Sequence, residues 1–97
     1  MPTYFITEIS TVQGAKGIDG APERAKGVVK FAADMGVEII EFFYCTAMFD
    51  YIMKVNAPDD ETVTAFCMAA SRTGNVTAKA TRAFNPDEWE AIVKKLP

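Results

Sequence analysis

Hydrophobic and polar positions follow two different periods along this chain. Apolar residues recur at helical spacing in Ala25, Val28, Val29, Ala32 and Met35, in Val63, Phe66, Cys67 and Ala70, and again in Trp89, Ile92, Val93 and Leu96. Between these stripes lie runs rich in β-branched and aromatic residues: Thr3 to Ser10, Val37 to Cys45, Phe49 to Asn56 and Asn75 to Ala83. Such runs predict strands. Helix limits are marked by local chemistry. Ala21-Pro22-Glu23, Ala57-Pro58-Asp59-Asp60-Glu61 and Asn85-Pro86-Asp87-Glu88 each put proline near a first helical position, with acids facing the positive end of the helix dipole. Gly36 and Gly74 stand where a left-handed residue would end the first two helices.

The predicted order is β-α-β-β-α-β with a short terminal helix. The link Thr46-Ala47-Met48 is short enough for a hairpin, while each helical connection is long enough to cross the sheet. Residues 1–97 therefore read as a single α+β domain of ferredoxin-like βαββαβ plan, with a four-stranded antiparallel sheet carrying both helices on one face.

One sheet face is then left open, and its strands are not polar enough for water. Strict alternation puts Val37, Ile39, Phe43 and Cys45 on one side of the second strand and Ile40, Phe42 and Tyr44 on the other, with only Glu38 and Glu41 interrupting. In the third strand Phe49, Tyr51, Met53 and Val55 share a face, and Ile52 and the stem of Lys54 lie opposite. Apolar character on both faces predicts a homodimer or larger assembly built by sheet-to-sheet packing. The competing arrangement is a monomer with its last helix folded under the sheet.

Composition narrows the chemistry. A net charge of −3 supplies no basic footprint for nucleic acid. Apolar runs end well short of a membrane span, and the expected location is cytoplasmic. The absence of histidine removes the commonest general base and metal ligand, and no cofactor or metal motif is present. Cys45 and Cys67 form no CxxC pair and read as small buried hydrophobes. Gly14, Gly17 and Gly20 match neither a dinucleotide nor a Walker loop and read as a flexible connection.

Tyr44 through Asp50, the following Tyr51-Ile52-Met53-Lys54-Val55, and Ala57-Pro58-Asp59-Asp60-Glu61-Thr62 together resemble the GYD domain family. Gly74-Asn75-Val76 and Thr81-Arg82-Ala83-Phe84 are similar to that family's closing strand. The resemblance implies a dimeric α+β barrel on the ferredoxin-like plan and says little about activity. The name-giving Gly-x-Tyr-Asp is here Ala47-Met48-Phe49-Asp50, which keeps the carboxylate and loses the glycine and the phenol.

Two candidate sites follow from the hairpin. A three-residue loop would pair Tyr44 with Asp50 and Ile40 with Lys54, so that Tyr44, Asp50 and Lys54 share a face able to bind and polarise a small carbonyl or phenolic ligand. The structural alternative has Asp50 capping the loop and Lys54 reaching solvent, and a loop one residue shorter or longer would break the pairing. The other candidate is Glu41, either a proton acceptor in a dry pocket or the partner of Arg82 in a salt bridge between subunits. Two functional classes remain at this point. One is a module that binds a small apolar or aromatic metabolite; the other is a cofactor-independent enzyme of the monooxygenase or isomerase type found on dimeric α+β barrels.

Overall fold

A computed structural model describes residues 1–97. Four strands, β1 (Thr3–Ser10), β2 (Glu38–Tyr44), β3 (Tyr51–Asn56) and β4 (Val76–Ala83), form one antiparallel sheet in the order β2-β3-β1-β4. A five-residue helix α1 (Val12–Lys16) and a 3-10 turn (Ile18–Gly20) follow β1, then α2 (Ala21–Asp34), α3 (Asp60–Arg72) and α4 (Pro86–Val93). This is the ferredoxin-like plan expected from the pattern.

The helix limits are set by the residues that signalled them. Asp59 caps α3 by accepting from the Thr62 amide, and Asn85 with Glu88 forms a reciprocal capping box on α4. Gly36 and Gly74 both take positive φ, 83° and 87°, which places them in the region where a side chain is strained. The glycine-rich segment departs from expectation because it is ordered. Thr11 caps α1 through the Gly14 amide, and its own hydroxyl donates to the Gly74 carbonyl at 2.5 Å. Gly14 packs so closely on the start of β4 that a Cβ there would lie 2.0 Å from the Asn75 carbonyl oxygen. Close approach of two backbones explains that glycine.

The core lies between the sheet and α2 and α3, where Ile6, Met53, Val55, Val63 and Phe66 are fully enclosed. Tyr4 belongs to the same layer and donates its hydroxyl to Asp60 at 2.5 Å, tying the centre of the sheet to the first turn of α3. That carboxylate, together with burial, pushes the phenol up to about 12.

Two expectations about the second strand are corrected. A β-bulge interrupts the β2–β3 ladder: Ile39 faces Val55, Glu41 faces Lys54, and Ile40 is the extra residue. Ile39, Phe42 and Tyr44 therefore share the helix-covered face, whereas alternation without the bulge separates Ile39 from the other two. The hairpin is also wider than three residues. Tyr44 pairs with Tyr51 rather than Asp50, and the Cys45 amide donates to the Asp50 carbonyl at 2.8 Å to close the intervening loop.

Beyond the sheet, α4 extends from the body of a molecule measuring 51 × 30 × 19 Å. Its attachment consists of a Phe84–Trp89 ring contact at 6.0 Å and an Arg82–Glu88 ion pair at 3.1 Å. Trp89, Val93 and Leu96 are exposed, as are Phe5, Ile9 and Phe43 on the uncovered sheet face. The terminal helix does not shield that face.

Candidate functional site

The helix-covered side of the sheet forms a half-open cavity of about 350 Å³ near the end of β1. Its walls come from three layers. Ala25, Val28 and Phe31 of α2 face Phe66 and Ala70 of α3, and Phe42, Tyr51 and Glu8 rise from the sheet. The residue spacing explains the convergence: Ala25, Val28 and Phe31 follow the helical repeat on one side of α2, and Phe66 and Ala70 stand one turn apart. Phe31 and Phe66 meet at 5.8 Å between ring centroids, while Phe42, Tyr44 and Tyr51 form a second aromatic group with separations of 5.3 to 6.1 Å.

Glu8 is the chemically distinct member. It stands on one of the two inner strands, with Tyr51 opposite on β3 and Ala78 opposite on β4. Only 7% of its surface is exposed, and its carboxylate takes part in none of the side-chain hydrogen bonds or ion pairs in the structure. Burial without a compensating donor disfavours the charged form and pushes the carboxyl up to about 7. The effect is felt nearby: the Cys67 thiol on α3 is pushed up to about 11, first by its own burial and then by the negative charge of Glu8. Cys67 is thus held as a thiol and is no nucleophile at neutral pH.

Polar groups at the rim are Arg24, Thr73 and Asn75. Arg24 is steadied by donating to the Gly17 carbonyl at 2.9 Å, and Asn75 by accepting from Gln13 at 3.1 Å. The ordered glycine segment therefore shapes the cavity rim.

The family model of the GYD domain matches residues 4–93, which takes in every strand of the sheet, α2, α3 and the cavity walls between them. The chain belongs to the GYD domain family. No curated protein and no solved structure matches it.

In this GYD domain the residues singled out by sequence are dispersed. Asp50, the carboxylate retained from the family's name-giving motif, turns toward β1: its side chain accepts from the Ser10 amide at 2.7 Å, and its own amide donates to the Glu8 carbonyl at 2.9 Å. It continues the β1–β3 ladder past the end of β3 and fixes the backbone of Glu8. Tyr44 lies on the helix-covered face at the sheet edge, against Tyr51. Lys54 and Glu41 are paired on the opposite, open face, so the expected Tyr44–Asp50–Lys54 grouping does not form. Arg82 is on the covered face, opposite Tyr4, and is engaged within its own chain by Glu88, the Thr3 and Ala83 carbonyls and the face of Phe84 at 4.3 Å.

Glu8 escaped the sequence reading although its signal was present. In Tyr4-Phe5-Ile6-Thr7-Glu8-Ile9, the period of two puts Glu8 with Tyr4 and Ile6, and the fold places β1 in the sheet interior. A carboxylate on the buried face of an inner strand is the informative exception.

Proposed function

We propose that this GYD domain binds a small apolar or aromatic metabolite in the cavity between α2, α3 and the sheet. The observation that carries the reading is a half-open pocket of about 350 Å³ walled mainly by apolar and aromatic side chains. That size is at the lower end of small-molecule pockets, which range from roughly 300 to 1,000 Å³. It suits a molecule of one or two rings.

Native mass spectrometry of undialysed protein, before and after denaturation, reads the bound molecule directly. Ala70→Trp places an indole into the cavity from α3 and is expected to abolish the bound mass. An Ala70→Trp protein that carries the same ligand at the same occupancy would move the site elsewhere.

A second reading is supported by Glu8. A carboxyl poised near neutrality in a mainly apolar cavity is the kind of group a cofactor-independent enzyme uses to accept a proton. Recovery of a chemically altered ligand after incubation separates turnover from binding.

We further propose that a second copy of the chain covers the open sheet face. Phe43 is 56% exposed and Ile9 54%, and both lie on a face that also carries Glu41, Lys54 and Lys79, a set of charges that two copies can pair reciprocally. Light scattering should give about twice the monomer mass. Phe43→Glu is expected to return the monomer, because a carboxylate enclosed without a partner costs several kcal/mol, on the order of an interface hot spot. A monomeric wild-type mass at all accessible concentrations would exclude the pairing. Tyr51, by contrast, lies in the covered layer, so Tyr51→Glu is expected to unfold the chain rather than dissociate it.

A further inference from the structure

The proposed cavity has one feature that a purely apolar ligand leaves unanswered. Glu8 is more than nine-tenths buried, lines the cavity, and has no donor from the protein directed at its carboxylate. Its carboxylate oxygens are not sealed off but keep contact with the cavity space, so they are free to meet a donor from outside the chain. We infer that Glu8 selects the ligand, and that the cavity takes neutral aromatic alcohols and enols whose O–H donates to its carboxylate. This inference rests on the cavity being the binding site.

The neighbouring groups favour a neutral donor over a charged one. A ligand carboxylate would set two like charges side by side in one mainly apolar space. A ligand cation would share the cavity with Arg24, the basic residue of its lining. A neutral hydroxyl meets neither cost, and its burial is compensated by the bond it makes. Around Glu8 stand Tyr51 opposite on β3, Ala78 opposite on β4 and Cys67 on α3, while Arg24 of α2 shares the cavity lining with its guanidinium held by the Gly17 carbonyl. Cys67 stays neutral well above physiological pH, so the charge that changes near neutrality at the cavity floor is that of Glu8 itself.

The test uses 2-naphthol and its methyl ether, 2-methoxynaphthalene, which share a ring system and differ in the donor. At about pH 8 both are expected to bind by fluorescence titration, the naphthol roughly tenfold or more tighter, the range of a hydrogen bond to a charged acceptor. In the excited state the naphthol O–H bond breaks, its proton bonds to a Glu8 carboxylate oxygen, and the naphtholate left behind emits at longer wavelength. Glu8→Gln keeps the size but cannot take that proton. In it the bound naphtholate emission should vanish and the preference should shrink by roughly tenfold. Wild-type protein near pH 5.5, with Glu8 protonated, should behave like the variant, which keeps the test independent of how well Glu8→Gln folds. Equal binding of the two probes at about pH 8, or naphtholate emission unchanged in Glu8→Gln, overturns the selection by Glu8 and leaves the cavity as the binding site. Failure of both probes to bind overturns the cavity reading together with the inference.

Discussion

Replacing Phe66 with alanine is expected to destabilise the domain by about 3 to 5 kcal/mol, the range for deleting a buried aromatic ring from a packed core. Phe66 is completely enclosed, packs against Phe31 and belongs both to the core and to the cavity wall. The space it leaves opens onto the cavity already beside it, where few neighbouring side chains are placed to fill it. A small domain has roughly 5 to 15 kcal/mol in total, and the loss is a large share of that. In urea the midpoint should fall with the slope unchanged. The enlarged cavity should also accept bulkier ring systems than the wild type. A loss under about 1 kcal/mol would mean that the layer between α3 and the sheet is not packed as described.

The second large effect is a dependence of stability on pH that runs opposite to ordinary acid denaturation. The Glu8 carboxyl ionises near 7 in the folded chain, against an ordinary value of 4.5. Between those values the folded state holds a proton that the unfolded state has released, so the contribution of Glu8 to stability is highest below about pH 4.5, falls as pH rises, and levels off above about pH 7. The full change is about 3 kcal/mol for this nearly enclosed group. Asp59 and Glu88 act in the opposite direction and in a lower window, because helix-capping hydrogen bonds hold both carboxyls below the ordinary range. Their contributions are present above the ordinary carboxylate range and are lost as pH falls through their lowered values. From about pH 5 to 8 the Glu8 effect should therefore dominate. Urea midpoints of the wild type should decline across that window, and those of Glu8→Gln should stay level. A wild-type profile that is flat or rising would place the carboxylate in contact with a donor or with water.

Much of this architecture is legible in the chain because the signals are local. Pro22, Asp59 and Asn85 mark helix starts through backbone chemistry that needs no tertiary partner, and Gly36 and Gly74 mark stops through a φ that other residues avoid. The stripes of α2 and α3 bury the predicted side chains in Ala32, Val63, Phe66 and Cys67, although Val29 falls on the outer edge of its stripe. Register is a different matter. The bulge at Ile40 and the wide loop before Asp50 are settled by how β3 pairs with both neighbours, and each shifts the face of every residue beyond it. That is why Tyr44, Asp50 and Lys54 do not converge.

The cavity was hidden for a related reason. Its walls come from residues far apart in sequence, and a glutamate in the first strand carries no local motif that links it to the aromatic residues of α2, α3 and β3. Asp50 shows how the two regions are connected. Its carboxylate accepts from the Ser10 amide and its own amide donates to the Glu8 carbonyl, so the acid of the motif supports the backbone of the residue that lines the cavity. Asp50→Asn retains an acceptor, and about 1 kcal/mol of stability is the expected cost.

The claim on which the functional account depends is that a small aromatic molecule enters the cavity between α2, α3 and the sheet. Amide chemical-shift mapping with 2-methoxynaphthalene tests it most directly, since that probe needs no polar contact and its binding does not depend on Glu8. The account expects saturable shifts at Gly27, Val28, Tyr51 and Ala70, which border the cavity, with Thr7, Lys79 and Thr81 on the open sheet face unmoved. Shifts confined to the open face, or none at saturating probe, would contradict it.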